Sequence, residues 1–134
     1  MQRAIGSSTP DSTTTIGAWA ASQNDYALTN GKNIYRVSAT AEVNLTGIAA
    51  PANIEQPLTF INVGATYAIT LKYDSASSSA ANRIYTPDGA DYELLAGRAV
   101  MVRYNNANTR WRIVSGSDSS QEWVGDLFLS TRFT

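Results

Sequence analysis

Residues 59–114 read TFINVGATYAITLKYDSASSSAANRIYTPDGADYELLAGRAVMVRYNNANTRWRIV. Leu58 to Val63 is mostly apolar and too short for a helix, and Gly64 breaks it. Tyr67, Ile69, Leu71 and Tyr73 then alternate with Ala68, Thr70 and Lys72, the period of two that places one set of side chains on a core face. A small polar loop, Asp74 to Ala81, precedes an extended run at Arg83, Ile84 and Tyr85. Pro87-Asp88-Gly89 is a turn, because proline presets φ and glycine accepts φ > 0. Tyr92 and Leu94 alternate with Asp91 and Glu93, and Gly97 turns the chain into Val100, Val102 and Tyr104. Asn105 to Asn108 closes a hairpin onto Thr109 to Ser115, where Trp111 and Ile113 share one face. Arg110 and Arg112 flank Trp111 where a core strand would be apolar.

The same grammar extends N-terminally. Asn30-Gly31 is a turn signal, Ile34, Tyr35 and Val37 form a β-rich run, and Val43, Leu45 and Gly47 alternate with Glu42, Asn44 and Thr46. Pro51 and Pro57 force a loop, since neither suits a central strand. About eight short strands and no long helical pattern predict an all-β fold, a single β-sandwich or jelly roll. The expected organisation is an extended Ser/Thr-rich arm over residues 1–15, a β domain over 16–115 and an apolar segment over 116–134 that is either a last strand or a docking tail. The similarity of Ile69–Asp74 to Val100–Asn105 is read as two like strand ends, not a repeat.

Composition narrows the chemistry. The 134 residues suit one domain. There is no cysteine, so there are no disulfides or thiolate sites, and no histidine, the commonest general base and zinc ligand. Net charge is -1 with eight scattered arginines, unlike the basic stripe of a nucleic-acid binder. No run of about twenty apolar residues predicts a membrane span. The first residues lack the apolar stretch of a secretory signal, so the chain is expected to stay where it is made.

Asp88, Asp91 and Glu93 raise the thought of paired carboxylates for glycoside cleavage, but Asp88 lies in a turn that favours Asp for backbone reasons. The acids do not follow the spacing of a twelve-residue calcium loop. Asn44-Leu45-Thr46 is a sequon without a secretory route, and Gly64, Gly89 and Gly97 are isolated, so no phosphate loop is formed. No enzyme, cofactor or metal site is expected.

Residues 34–114 resemble a module of tailed-bacteriophage structural proteins, found in fibre, tail and capsid-surface proteins. The resemblance is carried by Ile61-Asn62-Val63-Gly64, by Ile69-Thr70-Leu71-Lys72, by the loop Ser77 to Arg83 ending in Asn-Arg, by Gly89-Ala90-Asp91 and by Arg110 to Val114. It implies a non-enzymatic virion component, a homotrimer whose partners are its own copies and the major capsid protein or other virion proteins, with neither nucleic acid nor membrane. A capsid decoration (cement) protein or head fibre on the capsid surface, made in the bacterial host cytoplasm, is the first expectation. A tail-fibre module that recognises host glycan through Trp111 and the tyrosines is the second.

Interface candidates are Trp19, Arg83, Arg110, Trp111, Arg112, Trp123, Leu127, Phe128 and Phe133, because aromatic residues and arginine dominate interface energetics. Each has a plainer alternative: Trp111 capping its own core, Trp123 and Phe128 in a last core strand, and the arginines as solvated strand-face charge. Arg83, Arg110 and Arg112 are alternatively expected to tie loops through Asp74, Asp88 or Asp91.

Overall fold

The computed structural model describes residues 12–29, 31–51 and 56–116. Among these residues nine strands build two mixed sheets: β1 (Thr13–Trp19), β2 (Ile34–Ala39), β3 (Val43–Leu45), β4 (Leu58–Asn62), β5 (Ile69–Leu71), β6 (Ile84–Tyr85), β7 (Tyr92–Leu94), β8 (Ala99–Asn105) and β9 (Arg110–Gly116). One sheet runs β1-β2-β4-β8-β9-β6, the other β3-β5-β7. The only described helix is a 3-10 turn at Ala80–Asn82.

The fold is all-β, as expected, but its pairing is that of stacked coils and not of a clear sandwich or jelly roll. β1, β2 and β4 lie parallel, with Thr14, Tyr35 and Phe60 in line. β3 and β5 are parallel as well, and Gln23 bridges in parallel to Leu45, which pairs with Leu71. Tyr26 bridges to Ile48 on a further side. Three successive coils of the chain therefore rest on one another, each donating its backbone groups to the next. The chain then reverses. β7 pairs antiparallel with β5 and β8 antiparallel with β4, so a fourth layer closes the stack with the opposite direction. The hairpin β8–β9 forms where Asn105 to Thr109 turns, and β9 lies parallel to β6. The sequence conceals the coils because their corners differ: Ile16 to Gln23, Val37 to Leu45 and Asn62 to Leu71 are successively longer, so no fixed period repeats.

One core lies between the sheets. Tyr35, Val37, Phe60, Val100, Val102 and Tyr104 enter it from the first sheet, and Val43, Leu45, Ile69, Leu71 and Leu94 from the second. Alternation explains the Arg-Trp-Arg run: Trp111, 1% exposed, points in beside Ile84, while Arg110 and Arg112 point out. Trp111 packs edge-on against Tyr104 and donates from Nε1 to the Ile48 carbonyl at 2.8 Å, so its one polar atom is satisfied in the core.

Several expectations are corrected. β1 starts at Thr13, so the last residues of the expected arm, Thr13 to Thr15, already pair with Ile34 to Arg36. The four-residue alternation Tyr67–Tyr73 shortens to Ile69–Leu71; Tyr67 and Tyr73 are exposed because the chain has left the strand on either side. Asn30, the arm up to residue 11 and the tail from residue 117 lie outside the described residues.

The Asn62-Val63-Gly64 strand end is built around a buried amide. Asn62 occupies the inward column that holds Ile16 and Val37 in the preceding coils, and it is fully buried. Its Nδ2 donates to the carbonyls of Tyr67 at 2.9 Å and Leu94 at 3.0 Å, and its Oδ1 accepts from the Gly64 N–H at 3.0 Å. Its own N–H and carbonyl meet Arg98 and Gly97. The amide thus joins the third corner to the reversed layer. Asn62→Leu, which keeps the branching but none of the polar atoms, takes the Nδ2 donor from the Leu94 and Tyr67 carbonyls and is expected to cost about 2 kcal/mol or more. A lowered urea midpoint at unchanged m-value checks this.

Candidate functional site

The outward face of β9 and β6 carries the most distinctive surface group. Tyr85 and Arg112 are neighbours in the parallel register. The Arg110 and Arg112 guanidinium carbons lie 5.3 and 5.6 Å from the Tyr85 ring centre, within cation–π range. Tyr73 stacks on Tyr85 with centroids 5.3 Å apart and planes 20° from parallel. Arg110 Nε donates to Asp74 Oδ1 at 3.1 Å, and Arg83 reaches the same oxygen at 3.8 Å. Asp74 takes φ 42°, within reach of Asx residues, and this presents its carboxylate to both arginines.

The expected bidentate ties are replaced at Asp74 by a single bond from Arg110 and an ion pair from Arg83, while Arg112 lies over Tyr85 and Asp88 and Asp91 are engaged by other groups. Asp88 accepts the Ala90 N–H at 3.1 Å within its own turn. Asp91 accepts from Lys72 Nζ at 2.7 Å and from the Tyr73 N–H at 2.9 Å. Arg83 Nε also donates to the Ser78 carbonyl at 3.0 Å.

The remaining interface candidates fall into two groups. Trp19 and Trp111 are buried within the chain's own core, Trp19 edge-on against Tyr26, so neither side chain is presented on the surface. Trp123, Leu127, Phe128 and Phe133 lie outside the described residues. Sequence reading missed Tyr85 as the partner of Arg110 and Arg112, and Tyr73 as the ring stacked on it; the register of β6 against β9 brings the first together and the bridge of Tyr73 to Ile84 the second, and nothing local announces either pairing.

A second knot ties the Ser77–Arg83 loop to the first coil. Asp25 Oδ1 accepts from the Ser79 N–H and Asn82 Nδ2, both at 2.8 Å, and the Asp25 N–H donates to Ser78 Oγ at 2.9 Å. Ser78 Oγ shares a 2.7 Å hydrogen bond with the buried Thr46 hydroxyl, and Asn82 Oδ1 accepts the Ala50 N–H. Small residues are required here: a Cβ on Gly47 would run into the Ser78 side chain and lie 2.7 Å from the Asn82 carbonyl. Gly47→Ala is expected to cost about 1–3 kcal/mol by forcing this loop away, read as a lower urea midpoint and faster proteolysis at Asp74–Arg83.

A cleft of about 570 Å³ opens beside Leu28, Tyr35, Ala49, Leu58 and Trp111. Tyr35 OH donates to the Thr29 carbonyl at 2.8 Å, and burial raises its pKa, as it does for Tyr104. The polar atoms of its two aromatic wall residues are thus engaged with backbone. Among the described residues, no group of three or more acidic side chains is placed to hold a metal ion, and no helix is long and apolar enough to cross a membrane. No protein-family model matches the sequence, and no curated protein matches it.

Two of these carboxylates titrate below the ordinary range. Asp25 is lowered first by the Asn82 hydrogen bond and then by the Ser79 N–H; Asp91 first by the Lys72 hydrogen bond and then by the Tyr73 N–H. A depressed folded-state value means that their stabilisation is fully present above about pH 4, the unfolded value, and is lost as pH falls through the folded value. Asp25→Asn and Asp91→Asn should each flatten the fall of the urea midpoint below about pH 4; an unaltered slope in both would refute the assignment.

Proposed function

We propose that this chain is a non-enzymatic structural protein of a bacteriophage virion: a capsid decoration protein or head fibre that sits on the outer capsid surface as a homotrimer and braces it. The observation that supports this most is how the polar side chains are used. Asp25, Asp74, Asp88, Asp91 and Asn62 each hold a loop, a turn or a strand end in place. Loops fixed in this way to a stack of mutually paired coils make a stiff block with shaped corners, which suits a part that must fit a repeating shell.

The seven-residue strand β1 adds a means of attachment. Among the described residues it is paired on its β2 side alone, and its other edge is where a strand from a virion partner would add. Many weak contacts of this kind, repeated over a symmetric surface, combine into firm attachment. The fine form of the fold, sandwich or jelly roll, is not needed for this role; stacked coils serve it equally.

The test uses particles from which the protein has been genetically removed. Gold-labelled protein added back should decorate the capsid at symmetric sites and raise the temperature at which DNA is released, and light scattering of the free protein should give three chains. Labelling restricted to the tail, or a monomer that leaves heat resistance unchanged, overturns the proposal.

A further inference from the structure

We infer that the outward face formed by Tyr73, Tyr85 and Arg112 binds an acidic polysaccharide, a chain of sugar rings bearing carboxylates. The inference goes beyond capsid attachment and does not depend on where in a particle the chain sits. Tyr73 is 38% exposed and stands at one end of a short row: Tyr73, Tyr85, then Arg112. An aromatic face is matched by the C–H face of a pyranose ring, and a guanidinium by a carboxylate in the same plane. The row therefore offers a ring platform at its Tyr73 end and an anion clamp at its Arg112 end, with Tyr85 between them.

The site is held before any ligand arrives. Tyr73 is fixed by the Asp91 bond to its N–H and by its bridge to Ile84, and Tyr85 by pairing with Arg112. Arg110 is half-buried and held by Asp74, so it supports Tyr85, whereas Arg112 is exposed. Arg103 stands directly across from Arg112 in the β8–β9 register. A pre-set site of this kind loses little entropy on binding.

A peptide strand is a poorer fit. β6 has β9 on one side and Tyr73 on the other, so no backbone edge is open there, and recognition must run through side chains. Single-stranded nucleic acid could stack on the tyrosines, yet it needs a track of cations along its backbone. The row ends at Tyr73 beside Lys72, which is already paired with Asp91 at 2.7 Å.

The full chain should be titrated calorimetrically with polygalacturonate oligosaccharides, with their methyl esters, with poly-glutamate and with oligo-dT. Binding to the free acid, at least about tenfold weaker for the ester, is expected, since the ester removes the charge-assisted bond. Arg112→Gln and Tyr73→Ala should each weaken it by about tenfold, with urea midpoints showing that both variants fold. Arg36→Gln, on β2, should leave it unchanged. No binding to the acid, equal binding to the ester, tighter binding of poly-glutamate or oligo-dT, or full affinity in folded Arg112→Gln would each overturn the inference. None of these outcomes depends on a capsid, so failure here leaves the virion proposal to its own experiment.

Discussion

Everything else in this molecule depends on the parallel register that sets one coil upon the next. Thr14, Tyr35 and Phe60 stand in line, and Ile16, Val37 and Asn62 stand in line beside them. Each coil on its own is too short to bury a core or to satisfy its backbone. Stacked, the coils do both, because every inward side chain meets its equivalents above and below. A slip of one residue would turn Tyr35 and Val37 outward and send Arg36 into the core.

The polar network follows from that constraint. Coils need corners, and corners leave backbone groups unpaired. Asn62 answers one corner, and the Asp25–Ser78–Asn82 knot answers another. Both reach over long sequence separations, Asn62 to Leu94 and Asp25 to Asn82. They therefore hold the layers to one another as well as closing local turns. Arg83 and Arg110 meeting at Asp74 do the same for the loop after β5 and the start of β9.

Much of this was legible in the chain. Alternation at Val100–Tyr104 and Tyr92–Leu94, the Pro87-Asp88-Gly89 turn and the terminal hairpin all appear where the pattern places them. Turns and hairpins are written in adjacent residues, so local reading finds them. Parallel pairing is not: the partners of β1 and β2 lie twenty or more residues apart, and corners of unequal length blur the period. The same reason hid the aromatic–arginine surface. Arg110 and Arg112 stood out in the sequence, but Tyr85 becomes their neighbour only through the β6–β9 register. Trp19 and Trp111 show the opposite lesson, since residues that often anchor interfaces here fill the chain's own interior.

The reversed fourth layer gives the stack two unlike ends. At one end is β1, seven residues long; at the other, β7 has only three residues and β8 is already covered by β9. A coil pile with matching ends invites head-to-tail growth without limit. Among the described residues this one shows no second end of the same kind, so copies meeting through β1 would find no like strand edge at the other end. Among the described residues, the backward turn of the chain thus works against head-to-tail filaments.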